Sequence, residues 1–270
     1  RQKANALNLP MAVMLFEPQP REYFMGDKAP ARLMRLRDKL HYLAQAGVDV
    51  VIVAKFDRTF ANLPAEQFIE DWLVHKLNVK FLSIGDDFKF GAKRLGNFAM
   101  LQEAGKQFGF EVEDSRTFCL DELRISSTAI REALAKDDLQ HAQNLLGKPY
   151  RIFGRVIHGN KLGRTIGFPT ANVRLHRQVN PVKGVYAVKV RLKSGEIFNG
   201  VANMGKRPTI NGTIQLLEVH LFDFSQNIYG QMVEVEFCHK IRNEIKFPSF
   251  EALKAQIEQD VKTAKAFFAK

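Results

Sequence analysis

The chain has 270 residues, 46% of them hydrophobic, which is enough to bury two ordinary cores. Its net charge of +11 suits anionic partners, either nucleic acid or phosphorylated small molecules, although the basic residues form no dense stripe. We see no apolar run of about 18 residues that predicts a membrane span, and no signal-peptide pattern at the start. Cys119 and Cys238 lie far apart, lack metal-ligand spacing and are typical of reduced thiols, so we expect a cytoplasmic protein.

Short apolar runs alternate with stretches of helical periodicity in the first half of the chain. The predicted strands are Met11–Phe16, Val48–Phe56 and Lys80–Ile84. The predicted helices are Leu33–Leu43, Phe68–Leu77, Ser126–Ala135 and Asp138–Leu146. Strand–helix–strand order at this spacing implies right-handed crossovers and a parallel sheet, with ligands at the carboxyl ends of the strands.

The pattern changes after Gly147-Lys148-Pro149. From Tyr150 onward, short runs of alternating apolar and polar residues are separated by Gly, Pro and Asn turns, as in Tyr186–Arg191 and Val233–Cys238. Several such runs predict a small antiparallel barrel or sandwich, and a final helix follows with one apolar face. We therefore predict two domains, residues 1–147 and residues 148–270.

The most informative motif is a glycine-rich loop that runs from His158 into Pro-Thr-Ala-Asn at residues 169–172. Loop glycines let the backbone approach a polyphosphate, and Lys161 and Arg164 add charge suited to phosphate oxygens. Thr170 and Asn172 are two residues apart, so on an extended strand both side chains lie on one face. Their neutral oxygens are suitable partial ligands for Mg²⁺. An ordinary hairpin loop with solvated charges is the alternative.

The loop and the residues that follow it resemble the riboflavin kinase family. Further family segments follow in order at Gly184–Tyr186, Asn203–Thr209, Leu217–Leu221 and Lys240–Glu244, with Phe247 after them. The resemblance implies a β-barrel that phosphorylates riboflavin to FMN with ATP and Mg²⁺. It implies ATP contacts at Gly159, Lys161, Gly163, Arg164, Thr165, Gly167, Pro169, Thr170 and Asn172, and flavin contacts at Gly184, Tyr186, Asn203, Arg207, Arg242 and Phe247.

Riboflavin phosphorylation needs a group that accepts the proton of the ribityl hydroxyl as it attacks the γ-phosphoryl group. Glu218 falls on the catalytic glutamate of the family, and alternation places it on one strand face with His220, opposite Leu217 and Val219. A strand carboxylate is usually a solvated outer residue, so the resemblance is what favours catalysis. His220 is chemically an alternative base, and we interpret it as structural or supporting.

Small hydroxyl residues stand where a helix begins in Arg124–Arg131. They cap helices, and with free amides they can also hold a phosphate. The segment resembles the Ser-Ser-Thr-x-x-Arg signature of nucleotidyltransferases in the form used by bacterial FAD synthetases. Gly85–Gly91 resembles the flavin-holding segment of that family, and Phe16–Pro20 its strand-end motif near the nucleotide, with Gln19 where many members carry His. The implied nucleotide contacts are Pro18, Ser126, Ser127, Thr128 and Arg131, and the implied flavin contacts are Asp86, Asp87, Phe88 and Phe90.

The whole chain thus resembles bacterial bifunctional riboflavin kinase/FMN adenylyltransferases, in which an α/β nucleotidyltransferase-like domain precedes the kinase barrel. That family begins with a strand and a Gly-x-Phe-Asp-Gly-x-His-x-Gly-His segment, which this sequence does not contain. We therefore expect a chain that lacks the amino-terminal segment and first strand, phosphorylates riboflavin, and does not adenylylate FMN to FAD.

Two alternatives stay open at this point. The first is a riboflavin kinase whose first half is only a structural module. The second is a basic β-barrel that binds RNA or single-stranded DNA, a class that needs exposed aromatic residues among basic ones on a sheet face. The barrel strands show too few such aromatics, so we expect riboflavin, FMN and ATP as partners, with no nucleic acid and no membrane. The oligomeric state and the preference between Mg²⁺ and Mn²⁺ stay open.

Overall fold

A computed structural model describes residues 1–85, 87–115, 119–120, 123–159, 167–175, 179–209 and 212–270, without the side chains of residues 119–120, 123–124, 206–209 and 212–214. The chain forms two compact units. Unit 1 comprises Arg1–Pro30 and Leu36–Arg124, and unit 2 comprises Ala31–Arg35 and Ile125–Lys270. No helix in the described part of the chain is both long and apolar enough to cross a membrane.

Unit 1 combines short strand pairs with helices. Its strands are β1 (Ala12–Glu17), β2 (Val50–Lys55), β3 (Phe81–Ile84), β4 (Glu111–Asp114), β5 (Cys119–Leu120) and β6 (Leu123–Arg124). The β1–β2 and β3–β4 pairs are parallel, as predicted, and β5–β6 is antiparallel. Its helices are α1 (Gln2–Ala6), α2 (Pro20–Met25), α3 (Leu36–Gln45), α4 (Arg58–Ala61), α5 (Ala65–Phe68, continued by a π-helix at Ile69–Lys76) and α6 (Phe98–Phe108).

Local signals in the sequence explain where the helices of unit 1 begin and end. Asp57 and Asn97 accept hydrogen bonds from the backbone N–H groups of Phe60 and Met100, both at 3.1 Å, and so cap α4 and α6. Gly109 ends α6 with a left-handed φ of +76°. The apolar helix faces then pack into one core, formed by Ala65, Phe68, Ile69, Leu73, Phe90, Leu101, Ala104 and Phe110.

Unit 2 is built on a closed six-stranded antiparallel barrel, with strand order β10-β11-β8-β7-β12-β9. The strands are β7 (Arg151–Ile157), β8 (Ala171–Arg174), β9 (Gly184–Arg191), β10 (Ile197–Thr209), β11 (Gly212–Leu221) and β12 (Met232–Arg242). Alternate residues fill the interior, among them Val188, Leu217, Val219 and Val235. Periodicity alone left a barrel or a sandwich open, the family resemblance implied a barrel, and the structure shows the barrel.

Three helices complete unit 2: α7 (Ser127–Ala135), α8 (Leu139–Leu146) and the terminal α9 (Phe250–Phe268). Helices α7 and α8 contribute Leu134, Ala142 and Leu145 to the same core as the barrel interior. Helix α9 covers a separate cluster on the outer face of the barrel, where Ala264 packs near Val185. The compact unit that contains the barrel begins at Ile125 and so includes α7 and α8. The predicted domain boundary between residues 147 and 148 stays a prediction.

Candidate functional site

The barrel places Glu218 between two asparagines on neighbouring strands. In the antiparallel register Glu218 of β11 pairs with Asn172 of β8 on one side and with Asn203 of β10 on the other. Directly paired residues point to the same face, with Cβ atoms about 5 Å apart. Three predicted site residues, far apart in the sequence, therefore form one row across three strands, which we name the polar row.

The polar row lies on the outer face of the barrel. The neighbours of Glu218 along β11, Leu217 and Val219, are 0% and 1% exposed and belong to the interior core. Because side chains alternate along a strand, Glu218 points outward. This confirms the predicted face of Glu218, while its catalytic role stays a prediction.

Asn172 is the buried end of the polar row, with only 5% of its surface exposed. Its amide lies directly against Gly159, so that a Cβ atom at position 159 would collide with it. Any side chain at position 159, near the start of the predicted phosphate-binding loop, would therefore have to displace this buried amide. Gly167, at the other end of the loop, has a left-handed φ of +86°. The loop residues Lys161, Gly163, Arg164 and Thr165 lie outside the described residues.

Asn203 lies at the other end of the polar row. Its buried Oδ1 has no hydrogen-bond partner among the described residues. A Cβ atom at Gly205 would collide with the Glu244 carboxylate and would lie 3.3 Å from Nδ2 of Asn203, so Glu244 belongs to the same surroundings. Glu244 was not singled out from the sequence, although it ends the quoted Lys-Ile-Arg-Asn-Glu segment. A buried polar atom without a partner costs free energy, which suits a position that a ligand completes.

His220 lies two residues beyond Glu218 on the same face and contacts the segment before β8. Its Nδ1 is 2.9 Å from the carbonyl oxygen of Pro169. Since a carbonyl only accepts, Nδ1 carries the proton and donates it. The ring also meets Phe168 edge-on, with centroids 5.3 Å apart. These contacts agree with the interpretation of His220 as a supporting residue.

Thr170 and Asn172 offer a hydroxyl and an amide as oxygen donors at the edge of the polar row. Magnesium takes few protein ligands and keeps water and phosphate oxygens, so such a sparse neutral pair fits the ion when a nucleotide is bound. The described residues contain no group of three His, Cys, Asp or Glu side chains that could hold a metal by themselves. The donors present therefore fit magnesium that arrives with ATP.

Tyr186, predicted as a flavin contact, lies in the barrel interior and not on the face of Glu218. It is 0% exposed, and its hydroxyl donates to Asp137 at 2.5 Å. The ammonium of Lys240 lies 2.9 Å from the same carboxylate and 3.2 Å from the Tyr186 hydroxyl oxygen. Burial, reinforced by the Asp137 carboxylate, raises the pKa of Tyr186 far above its usual range. We name Asp137, Tyr186 and Lys240 the inner triad. The structure gives Tyr186 structural partners, and its predicted flavin contact stays untested.

Arg242 and Phe247, also predicted flavin contacts, lie together at the end of β12. The Arg242 guanidinium is 5.6 Å from the Phe247 ring centroid and makes a bidentate ion pair with Asp260 of α9, at 2.9 and 2.7 Å. Asp260 is 3% exposed, so its charge needs this partner. Gly184 has a φ of +93° and packs against the Arg242 carbonyl. The Arg207 side chain lies outside the described residues.

Unit 1 holds the predicted adenylyltransferase residues Pro18, Asp87, Phe88 and Phe90, and Asp86 lies outside the described residues. Pro18 directly follows β1, at the carboxyl end of a parallel strand. The rings of Phe88 and Phe90 stack with centroids 5.7 Å apart, and Phe90 is 7% exposed and part of the core. Phe90 therefore packs in the core of unit 1, and Phe88 is the more accessible ring.

Unit 2 holds the Ser-Ser-Thr-x-x-Arg segment at the start of α7. Ser126 is the N-cap, and its Oγ accepts from the backbone N–H of Ala129 at 3.2 Å. Ser127 and Thr128 occupy the first turn, where backbone N–H groups point outward. Arg131 donates to the carbonyl oxygens of Ala31 and Ser127 at 2.6 and 3.0 Å. The capping prediction is confirmed, and the nucleotide contacts stay predictions.

Comparisons with known proteins cover both halves of the chain. The FAD synthetase family model matches residues 1–129 and the riboflavin kinase family model matches residues 146–268. A bifunctional riboflavin kinase/FMN adenylyltransferase of Haemophilus influenzae is 84% identical over 268 residues, which cover 99% of this chain and 87% of that protein. The Escherichia coli K12 protein of the same name is 58% identical over 261 residues, or 97% and 83% of the two chains.

A solved structure is similar in fold over nearly the whole chain. A chain titled macrolide-efflux protein from Streptococcus pneumoniae matches with a TM-score of 0.77 and 32% identity, covering 96% of this chain and 84% of its own. Two family matches, two curated relatives over nearly the whole chain, and the barrel with its polar row lead to one conclusion. The chain belongs to the bifunctional riboflavin kinase/FMN adenylyltransferase family of flavin biosynthesis.

Proposed function

We propose that the polar row of unit 2 is the riboflavin kinase site and that Glu218 is its general base. The observation that supports this is the pairing of Glu218 with Asn172 and Asn203, which surrounds one outward carboxylate with neutral amides. A carboxylate there can accept a proton, and the amides can orient a hydroxyl or a metal-bound phosphate without competing for that proton.

The reaction in this site is a single displacement. The primary hydroxyl oxygen of the ribityl chain forms a bond to the γ-phosphorus of ATP while the bond from that phosphorus to the β–γ bridging oxygen breaks. The hydroxyl proton passes to the Glu218 carboxylate, and FMN and ADP leave. Thr170 and Asn172 would hold Mg²⁺, whose charge offsets that of the phosphates. The glycine-rich loop that begins at Gly159 would contact the phosphates.

The family also adenylylates FMN, and we propose that the start of α7, in unit 2, binds the phosphates of the nucleotide for that reaction. Ser126, Ser127, Thr128 and Arg131 would contact ATP phosphates, because a helix start presents free N–H groups and positive dipole. Phe88 and Asp87 would contact the flavin of FMN. Transfer of AMP to the FMN phosphate would release pyrophosphate.

The test is flavin chromatography after incubation with riboflavin, ATP and Mg²⁺, beside the variants Glu218→Gln and Glu196→Gln. We expect Glu218→Gln to lower kcat for FMN formation by about 100-fold or more, because it removes the proton acceptor and keeps the shape. Glu196 lies in an exposed turn and provides the matched control, with unchanged kcat. Equal kcat values for both variants would show that Glu218 is not the general base. The same chromatograms show whether FAD forms.

A further inference from the structure

The segment that carries Thr170 is held by a side chain where the strand ladder ends. The β8–β11 pairing stops at Ala171 and Val219, and the same register continued by one residue brings Thr170 opposite His220. The preceding residue, Pro169, has no N–H group with which to extend a ladder. Its carbonyl oxygen instead accepts from Nδ1 of His220 at 2.9 Å. An imidazole therefore takes the place of the next backbone hydrogen bond.

The ring of His220 is itself held in place. Its centroid lies 5.3 Å from that of Phe168 and 5.9 Å from that of Phe222, both in edge-on contact. Phe222 belongs to the buried cluster beneath α9, so a buried ring holds the imidazole on this side. Aromatic contacts on two sides and one hydrogen bond leave the imidazole little rotational freedom. A fixed ring can determine where the Pro169 carbonyl lies.

We propose that His220 is a positioning residue of the kinase, which fixes Thr170 beside Asn172 and Glu218 by holding the Pro169 carbonyl oxygen. Thr170 directly follows that carbonyl, so a shift of the Pro169 peptide moves the Thr170 backbone and hydroxyl together. The inference rests on the proposed function, because it assigns Thr170 a role toward Mg·ATP. It is separate from the choice of Glu218 as the base.

Two substitutions separate positioning from every other role of the imidazole. In His220→Asn, the side-chain N–H₂ occupies the place of Nδ1 and can still donate to Pro169, but no base is present. In His220→Gln, the amide nitrogen lies farther along the side chain, near the place of Nε2. His141→Gln changes a histidine of α8 with no assigned role and serves as the control.

The measurements are kcat and KM for Mg·ATP, and the Kd of Mg·ADP by calorimetry, which needs no turnover. We expect His220→Gln to raise KM and Kd by about 10-fold, as loss of a group that orients a metal ligand does, with kcat within about threefold. His220→Asn should keep all three values within about threefold of those of the unchanged chain. The control should match the unchanged chain.

Two outcomes would overturn the inference. Unchanged KM and Kd in both variants would show that the Pro169 contact does not position the metal ligand. A kcat lowered about 100-fold in both variants, with Kd preserved, would make the imidazole the base. If Glu218→Gln keeps its kcat while the Asn and Gln variants of His220 still differ, the proposed base fails and the positioning role stands.

Folding of each variant is followed by thermal unfolding. If His220→Gln does not fold, His220→Ala with added imidazole replaces it. A Kd for Mg·ADP that falls when imidazole is added, and that does not fall with added acetamide in the same variant, supports the positioning role. A Kd that imidazole does not change in a folded sample counts against it.

Discussion

The polar row and the inner triad are two polar clusters on the same barrel, and they differ in whether one particular acceptor, Oδ1 of Asn203 or the carboxylate of Asp137, has a partner among the described residues. In the inner triad, the Asp137 carboxylate accepts from both Tyr186 and Lys240. In the polar row, Oδ1 of Asn203 is buried and has no partner among the described residues. A cluster whose members bond one another stabilises the fold, whereas a buried acceptor without a protein partner suits a position where a ligand supplies the hydrogen bond.

The inner triad also explains an unusual backbone conformation. Asp137 follows α7 with a left-handed φ of +60°, which costs about 1 kcal/mol for a residue other than glycine. Its carboxylate ties the α7–α8 turn to strands β9 and β12 through Tyr186 and Lys240. The difference between the clusters therefore predicts opposite effects of substitution on stability and on activity.

The largest expected effect on stability is in the inner triad. Lys240→Met should lower the free energy of unfolding by about 2 kcal/mol, because the half-buried Asp137 carboxylate loses its cation. Lys193→Met, at an exposed turn, is the control and should change it by less than about 0.5 kcal/mol. Urea unfolding measures both. Kinase kcat should stay within about threefold, and a large loss of kcat in folded Lys240→Met would join the triad to the active site.

The polar row should behave in the opposite way. Asn203→Leu replaces a buried oxygen that has no partner among the described residues with an apolar group of similar size. We therefore expect the free energy of unfolding to be unchanged or to rise by about 1 kcal/mol. The kcat/KM for riboflavin should fall about 10-fold, because a ligand contact is lost. Urea unfolding gives the free energy of unfolding, and steady-state kinetics on the same sample gives kcat/KM for riboflavin. A clear loss of stability without a kinetic effect would make Asn203 structural.

The smallest expected effect is the contribution of the Cys238 thiol to stability at high pH. Cys238 lines a cavity of about 450 Å³ together with Asp137 and Lys240. Burial, with a contribution from Glu236, raises the pKa of its thiol to about 11. Because the unfolded thiol has a lower pKa, near 9, the folded state binds this proton more tightly. Its contribution to stability is complete below pH 9 and is lost as the pH rises through 11.

Iodoacetamide labelling read by peptide mass spectrometry tests this prediction. Cys238 should react slowly at pH 8 in the folded chain and faster as the pH approaches 11, since the thiolate is the reactive form. Chain unfolded in urea at pH 8 is the control and should react at the rate of a free thiol. Equal rates in the folded and unfolded chain at pH 8 would contradict the raised pKa.

Local periodicity was sufficient to predict about half of the elements of the fold. The strands around Val13, Val51 and Leu82 and the helices α7 and α8 were predicted to within two residues, because apolar spacing and capping residues act over a few positions. The alternation that placed Glu218 opposite Leu217 is equally local, and the structure confirms it. Resemblance to a family, not periodicity, singled out Glu218 from other strand carboxylates.

The partners of these residues are decided by tertiary structure. Strand order and register bring Asn172 and Asn203 to either side of Glu218, and this depends on barrel closure, which alternation along one strand does not encode. The same closure turns Tyr186 inward to Asp137 and gives Arg242 a buried partner in Asp260. The sequence by itself therefore determined many of the elements, the face of Glu218 and the family. Only the folded barrel decided which of the predicted site residues meet, because hydrogen bonds and ion pairs between distant segments form after the strands have found their neighbours.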